Sequence, residues 1–201
     1  MLELNQINKF IQPPLRLIQT FPLEGETQEK RRLYLRDEIR TCLIDSRNFK
    51  PSIDELDRLM NLEEAPQFKG FNVSISHTEN FGGFIITNKE VWCGFDIERR
   101  ERIHRPLVER ISHPREMQEV GDNYAHLWCL KEAAFKALSR NLGLKLVVEL
   151  QFSEFQPFNG GIFTARNTFA NGQLLQGVTA SSFSDDCFIY GICCRFLSTL
   201  V

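Results

Sequence analysis

The sequence predicts a mixed α+β protein built as two lobes. Helical patterning is followed by strand patterning, and that order occurs twice along the chain. One helical segment, "LWCLKEAAFKAL" at 127–138, is apolar almost all round, which marks a helix that is largely buried. A doubly wound parallel sheet would instead alternate single strands with single helices. At 201 residues the chain has room for one domain or two small lobes.

The elements follow in order. Residues 1–26 read as irregular, because Pro13, Pro14 and Pro22 break any helix. Thr27 can cap a helix running through "QEKRRLYLRDEIRTCLI" to about Asp45, and Ser52 a shorter one in "IDELDRLM". "FNVSIS" at 71–76 alternates as a strand does. "FGGFIIT" and "VWCGFDIE", separated by the polar "NKE", read as a hairpin. "HRPLVERI" and "PREMQEV" suggest two short helices, the second with Pro114 in its first turn. The main helix runs from about Asn123 to Ser139, with Gly143 beyond it. Four strand-like segments close the chain: "LQFSEF", "GGIFTARN", "GQLLQGVTASSF" and "CFIYGICCRFL".

Composition excludes several functions. A formal net charge of −2 argues against general affinity for nucleic acid or acidic membranes, while leaving room for a local basic patch. No apolar run approaches the ~20 residues that span a bilayer. The N-terminus lacks the basic start and apolar core of a secretory signal. The six cysteines form no CxxC pair and read as reduced core thiols of a cytoplasmic protein; no Cys/His cluster suggests structural zinc.

Four places carry candidate chemistry. On the strand "VWCGFDIE" the pleat puts Trp92, Gly94, Asp96 and Glu98 on one face. Two carboxylates so placed repel unless solvated or bridged by a cation, and Mg2+ takes one or two carboxylates with phosphate oxygens and water. Gly94 leaves space for a ligand beside Asp96. A solvated strand end would carry the same pair. "SISHT" sets His77 at a strand end, where it is a ligand-binding or a capping residue. In "EKRRLYLRDEIR", Arg32, Arg36 and Arg40 recur every four residues; the stripe suits phosphate, or a solvated face with Glu29 and Asp37. The long helix holds Lys131, Glu132 and Lys136. Glu132 and Lys136 share a face and can pair with each other, or both can face a site containing phosphate and metal.

The set, in this order, resembles the 4′-phosphopantetheinyl transferases of the surfactin-synthetase (Sfp) type. "GFDIE" (94–98) matches their G-x-D-x-E strand and "WCLKEAAFK" (128–136) their W-x-x-K-E-A-x-x-K helix. "SISHT" matches the Ser-His motif, "LRDEIR" the early helix with two Arg four apart, and "LGLKL" the Gly-Leu that follows. The family's G-K-P segment is absent, and Lys69 in "QFKGF" is its nearest substitute.

The resemblance implies two pseudo-symmetric lobes, 1–99 and 100–201, with coenzyme A in the cleft between them. It implies Mg2+ on Asp96, Glu98 and Glu132. Arg36, Arg40, Ser76, His77, Lys131 and Lys136 would hold coenzyme A. Lys136 would stabilise the leaving phosphate, and Glu132, with Glu98 as rival, would take the serine proton. The partner would be an acyl or peptidyl carrier protein, met by a monomer. Its docking surface would lie at Leu107, Ile111 and Met117 if these are exposed, flanked by Arg105, Arg110 and Arg115. Two other functions are compatible with these residues: a Mg2+-dependent phosphodiester or pyrophosphate hydrolase, and a non-catalytic protein that binds the carrier or coenzyme A.

Overall fold

The computed structural model describes residues 15–63, 65–158 and 162–197. Its architecture is mixed α+β, as the patterning predicts. Strand β1 (Leu15–Pro22) precedes helices α1 (Gln28–Asp45) and α2 (Ile53–Leu59). Strands β2 (Phe71–His77), β3 (Phe81–Asn88) and β4 (Val91–Arg99) follow. Helices α3 (Arg105–Ile111), α4 (Pro114–Val120) and α5 (Tyr124–Leu142) lead to β5 (Leu150–Phe158), β6 (Ile162–Ala170), β7 (Gln173–Leu174), β8 (Val178–Ser184) and β9 (Phe188–Phe196).

The local signals work as expected. Thr27 Oγ1 accepts from Lys30 N–H and starts α1. Ser52 and Glu55 form a capping box at α2. Gly143, with φ +67°, closes α5. On α1, Leu35, Ile39 and Leu43 form one fully buried stripe, each worth about 1.5–3 kcal/mol of burial. They pack on Phe84 and Ile86 of β3.

Two expectations are corrected by the pairing. Part of 1–26 is a strand: β1 runs antiparallel to β3, and Pro22 is tolerated because β1 is an edge strand. Residues 1–14 lie outside the described set. Second, β3 and β4 do not pair as a hairpin. β3 already has β1 on one edge and β2 on the other, so β4 turns away and pairs with β9. The first sheet has the order β1-β3-β2 and the second β4-β9-β8-β6-β5, with β7 on β6. The D-x-E strand therefore belongs to the second sheet, although the expected lobe boundary at 99 puts it in the first.

The layers follow from side-chain alternation. Val91, Cys93, Phe95 and Ile97 of β4 join Ile85 of β3 in a core between the two sheets. Trp92 packs on the other side of β4, against α5. Cys129, Leu130, Ala133 and Ala137 of α5 bury themselves there with Ile189 and Cys193 of β9. The cysteines are free thiols, four of them buried. No helix among the described residues is long and apolar enough to cross a membrane.

The space predicted at Gly94 is filled by α5 itself. A Cβ on Gly94 would stand 1.8 Å from the Ala133 carbonyl oxygen, and one on Gly191 2.1 Å from that of Cys129. Gly191 is the register partner of Asp96. The two glycines thus let the helix backbone lie directly on the sheet. Gly94→Ala and Gly191→Ala should each destabilise by about 3 kcal/mol or more, since backbone cannot yield as a side chain can. Gly70→Ala, with nothing within 4 Å of its Cβ, is the control and should change the urea midpoint little.

A second prediction concerns pH. His126 is buried, with Nδ1 2.9 Å from Ser182 Oγ. Burial, with a smaller push from Arg100, lowers its pKa to about 4. The unfolded chain then binds the proton more tightly, so this contribution is whole above pH 6.5 and fades as pH falls towards 4. About 3 kcal/mol should be lost across that window, and His126→Gln should flatten the profile in urea titrations.

Candidate active site

β4 is the edge strand of the second sheet, so its outer N–H groups need partners other than a strand. β2 supplies hydroxyls. Ser74 Oγ accepts from Phe95 N–H at 2.9 Å, and Ser76 Oγ accepts from Ile97 N–H at 3.2 Å. The alternation of "NVSIS" points Ser74 and Ser76 at β4, while Val73 and Ile75 pack on the α1 side. Ser76 also donates to Asp96 Oδ1 at 2.9 Å. Its hydroxyl is then nearly spent on the protein.

Lys136 reaches the same seam from α5. Its Nζ lies 2.7 Å from Asp96 Oδ1, 3.0 Å from Ser76 Oγ and 3.1 Å from the Phe95 carbonyl. Asp96 is buried; the Lys136 side chain is 31% exposed. The partner of Lys136 is thus Asp96 on a strand rather than Glu132 one turn back on its own helix. Glu132 is half-buried, and its carboxyl is pushed up by burial and then by the charge of Asp96, with Lys136 opposing. Two carboxylates that feel each other in this way are a place for a cation.

The acidic trio is only partly assembled. Glu98 Oε1 accepts from Arg99 N–H at 2.9 Å and lies 4.0 Å from the Arg102 guanidinium. Among the described residues no three acidic, His or Cys side chains are gathered as a metal cage. Asp96 and Glu132 fit Mg2+, which needs one or two carboxylates with the remaining positions on ligand oxygens and water. The structure shows no cage with Glu98 as a third wall.

Beside this seam is a groove of about 690 Å³. Arg32, Arg36, Lys136 and Arg140 line it, with His77 and the rings of Phe68, Trp92 and Phe135. Among the described residues no carboxylate lines it, in a protein whose formal net charge is −2. His77 Nδ1 lies 3.2 Å from the Thr78 carbonyl, which can only accept, so Nδ1 carries the proton. Burial lowers the pKa of His77, leaving Nε2 of the neutral ring an acceptor.

The basic stripe of α1 divides. Arg36 is buried at 7% exposure and donates through Nη1 to the carbonyls of Leu59 (2.6 Å) and Asn61, tying α1 to the end of α2. Burial lowers its pKa. Arg32 donates to the Leu62 carbonyl at 2.8 Å. Arg40 is exposed and lies away from the groove lining, as does Lys69.

Lys131 stands elsewhere altogether. It is 0% exposed, 2.9 Å from Glu116 Oε2 and 2.6 Å from the Leu150 carbonyl. Glu116 also accepts from the N–H groups of His113 and Phe152, so the pair stitches α4, α5 and β5 together. Lys131 and Lys136 are five residues apart and so point in different directions. A helical wheel separates them: Cys129, Glu132 and Lys136 share the face towards β4. Arg140, one turn beyond Lys136, was legible by the same spacing; its Nη2 donates to Gln67 Oε1 at 3.0 Å. Ser74 and Gly191 carried no such signal, because their roles arise between segments distant in sequence. Of the apolar residues expected on a docking surface, Leu107 is exposed and Ile111 half-buried, but Met117 is buried in the core.

Residues 93–186 match the sequence model of the 4′-phosphopantetheinyl transferase superfamily. The match spans just under half of the chain and supports that family, at a coarser level than the surfactin-synthetase type. It takes in Asp96, Glu98, Lys131, Glu132 and Lys136, and leaves Arg36, Ser76 and His77 outside. No curated protein matches the chain.

The placement of Lys131 has a direct test. Lys131→Met should destabilise by about 3–5 kcal/mol, because Glu116 keeps its charge without its cation. The double change with Glu116→Gln should recover part of that. In preparations that fold, any coenzyme A-dependent activity should keep its KM, since Lys131 does not touch the groove.

Proposed function

We propose that this protein transfers the 4′-phosphopantetheine group of coenzyme A to a serine of an acyl or peptidyl carrier protein, in the manner of the surfactin-synthetase type. The observation that carries this is the groove. Its lining is cationic and aromatic, holds no carboxylate among the described residues, and ends at Lys136, whose ammonium touches the acidic seam. A ligand with a planar base, several phosphates and a reacting pyrophosphate suits such a surface. The rings offer faces for the base, and Arg32 and Arg140 offer guanidinium forks for phosphate. Arg36 contributes charge from the wall while part of its guanidinium holds backbone carbonyls.

Asp96 and Glu132 would hold Mg2+, with Glu98 beside them on the same strand face. Bound there, the cation supplies charge neutralisation and orientation for the pyrophosphate. Lys136 donates to the phosphate that leaves. Glu132, directly or through a water on the cation, would take the serine proton, with Glu98, already engaged by Arg99 N–H, as its rival. A bond forms between the serine oxygen and phosphorus, the pyrophosphate bond breaks, and adenosine 3′,5′-bisphosphate leaves. Leu107 with Arg105, Arg110 and Arg115 is the surface proposed to face the carrier's acidic helix.

The test is incubation with coenzyme A, Mg2+ and a panel of apo carrier proteins, followed by intact mass. At least one carrier should gain a single phosphopantetheine. Asp96→Ala and Glu132→Ala should remove the gain while the thermal melt stays cooperative. Lys136→Met should lower kcat by roughly 100-fold, the scale for loss of a preorganised charge at a transition state. Near-normal turnover by either alanine variant at limiting Mg2+ would refute the cation assignment. Coenzyme A consumed without any carrier would identify a hydrolase instead.

A further inference from the structure

An ammonium group has three N–H bonds to give. Those of Lys136 are matched by three protein acceptors: Ser76 Oγ, the Phe95 carbonyl and Asp96 Oδ1. While these contacts stand, none is left for a phosphate oxygen. Asp96 Oδ1 is likewise occupied, by Lys136 and by the Ser76 hydroxyl. A divalent cation taking this carboxylate would stand close to the ammonium, and like charges at such range repel strongly. The arrangement in the structure and the arrangement needed for transfer are therefore two different states of one side chain.

We propose that Lys136 is the built-in counterion of Asp96, and that it must leave this carboxylate when a divalent cation binds, passing its ammonium to the anionic ligand in the groove. The inference rests on the function proposed above. Charge balance favours the exchange. Asp96 and Glu132 bring two carboxylates to the seam and Lys136 one ammonium, so acidic groups outnumber basic ones there. A divalent cation cancels both carboxylates and frees the charge of Lys136 for the ligand. Geometry allows it as well. Lys136 already lines the groove, its side chain is 31% exposed, and its four-carbon stem is flexible.

Linkage gives the consequence. The cation and Lys136 compete for Asp96, so the cation binds weakly alone. An anionic ligand that draws Lys136 away strengthens cation binding, and the cation strengthens ligand binding by the same factor.

The experiment titrates Mn2+ into wild type, Lys136→Met and Lys136→Gln, with free Mn2+ followed by electron paramagnetic resonance. It is repeated with coenzyme A present, after correction for the Mn2+ that coenzyme A binds by itself. Both variants should bind Mn2+ alone about tenfold more tightly than wild type, and the tightening caused by coenzyme A should shrink in both. Mn2+ should also raise the melting temperature of the variants more than that of wild type. Lys136→Gln keeps a polar group at the seam and decides the question if Lys136→Met fails to fold. Unchanged or weaker Mn2+ affinity in the folded variants would overturn the inference, and if carrier loading stood in wild type, the proposed function would survive it. No Mn2+ binding by any protein, with or without coenzyme A, would overturn the inference and the cation assignment together.

Discussion

The site depends on how closely one helix lies on one sheet. α5 rests its backbone on β4 and β9 at Gly94 and Gly191, where any side chain would collide with the carbonyls of Ala133 and Cys129. Helices usually stand off a sheet by the thickness of two side-chain layers. Here the sheet's side chain is missing at these two positions, and the charged residues of the helix reach the strand. Lys136 can span from α5 to Asp96 because of this approach, and Glu132 comes near enough to Asp96 to feel its charge. A site with carboxylates on a strand and on a helix requires such a contact, since each carboxylate alone would be a solvated surface group.

Electrostatics then divides the region in two. Along the seam, negative groups are crowded and one lysine offsets them. Along the groove the described lining charges are positive. Lys136 belongs to both, which is why one ammonium can report on cation and ligand together. The hydroxyls of Ser74 and Ser76 tie β2 to β4 at this junction. They satisfy the edge of β4 through side chains of β2 rather than through a backbone ladder, so Asp96 sits where the two sheets meet.

The two lysines of the K-E-x-x-x-K segment show how little residue type says about role. Lys131 is sealed inside, matched by a carboxylate that backbone N–H groups also hold. Lys136 is partly open to solvent and faces the seam. The difference is one of azimuth on a helix. Arg36 and Arg40, four apart on α1, diverge in the same way: the first ties down α2, and the second faces solvent.

By itself the sequence determined the mixed α+β class, the helix starts at Thr27 and Ser52, the closing glycine of α5, and the residue types of the two motifs. These are local: a cap, a period of two or of 3.6, and a residue's own chemistry decide them. The tertiary structure alone decided that β4 leaves β3 for β9, because the edges of β3 were taken. It decided that Gly94 makes room for a helix rather than a ligand, that Lys136 pairs with Asp96 rather than Glu132, and that Lys131 turns to Glu116. Each of these is set by contacts between segments 15 to 105 residues apart. No periodicity records them, since the energy that selects them, burial of apolar faces and satisfaction of strand edges, is gained only when the layers have met.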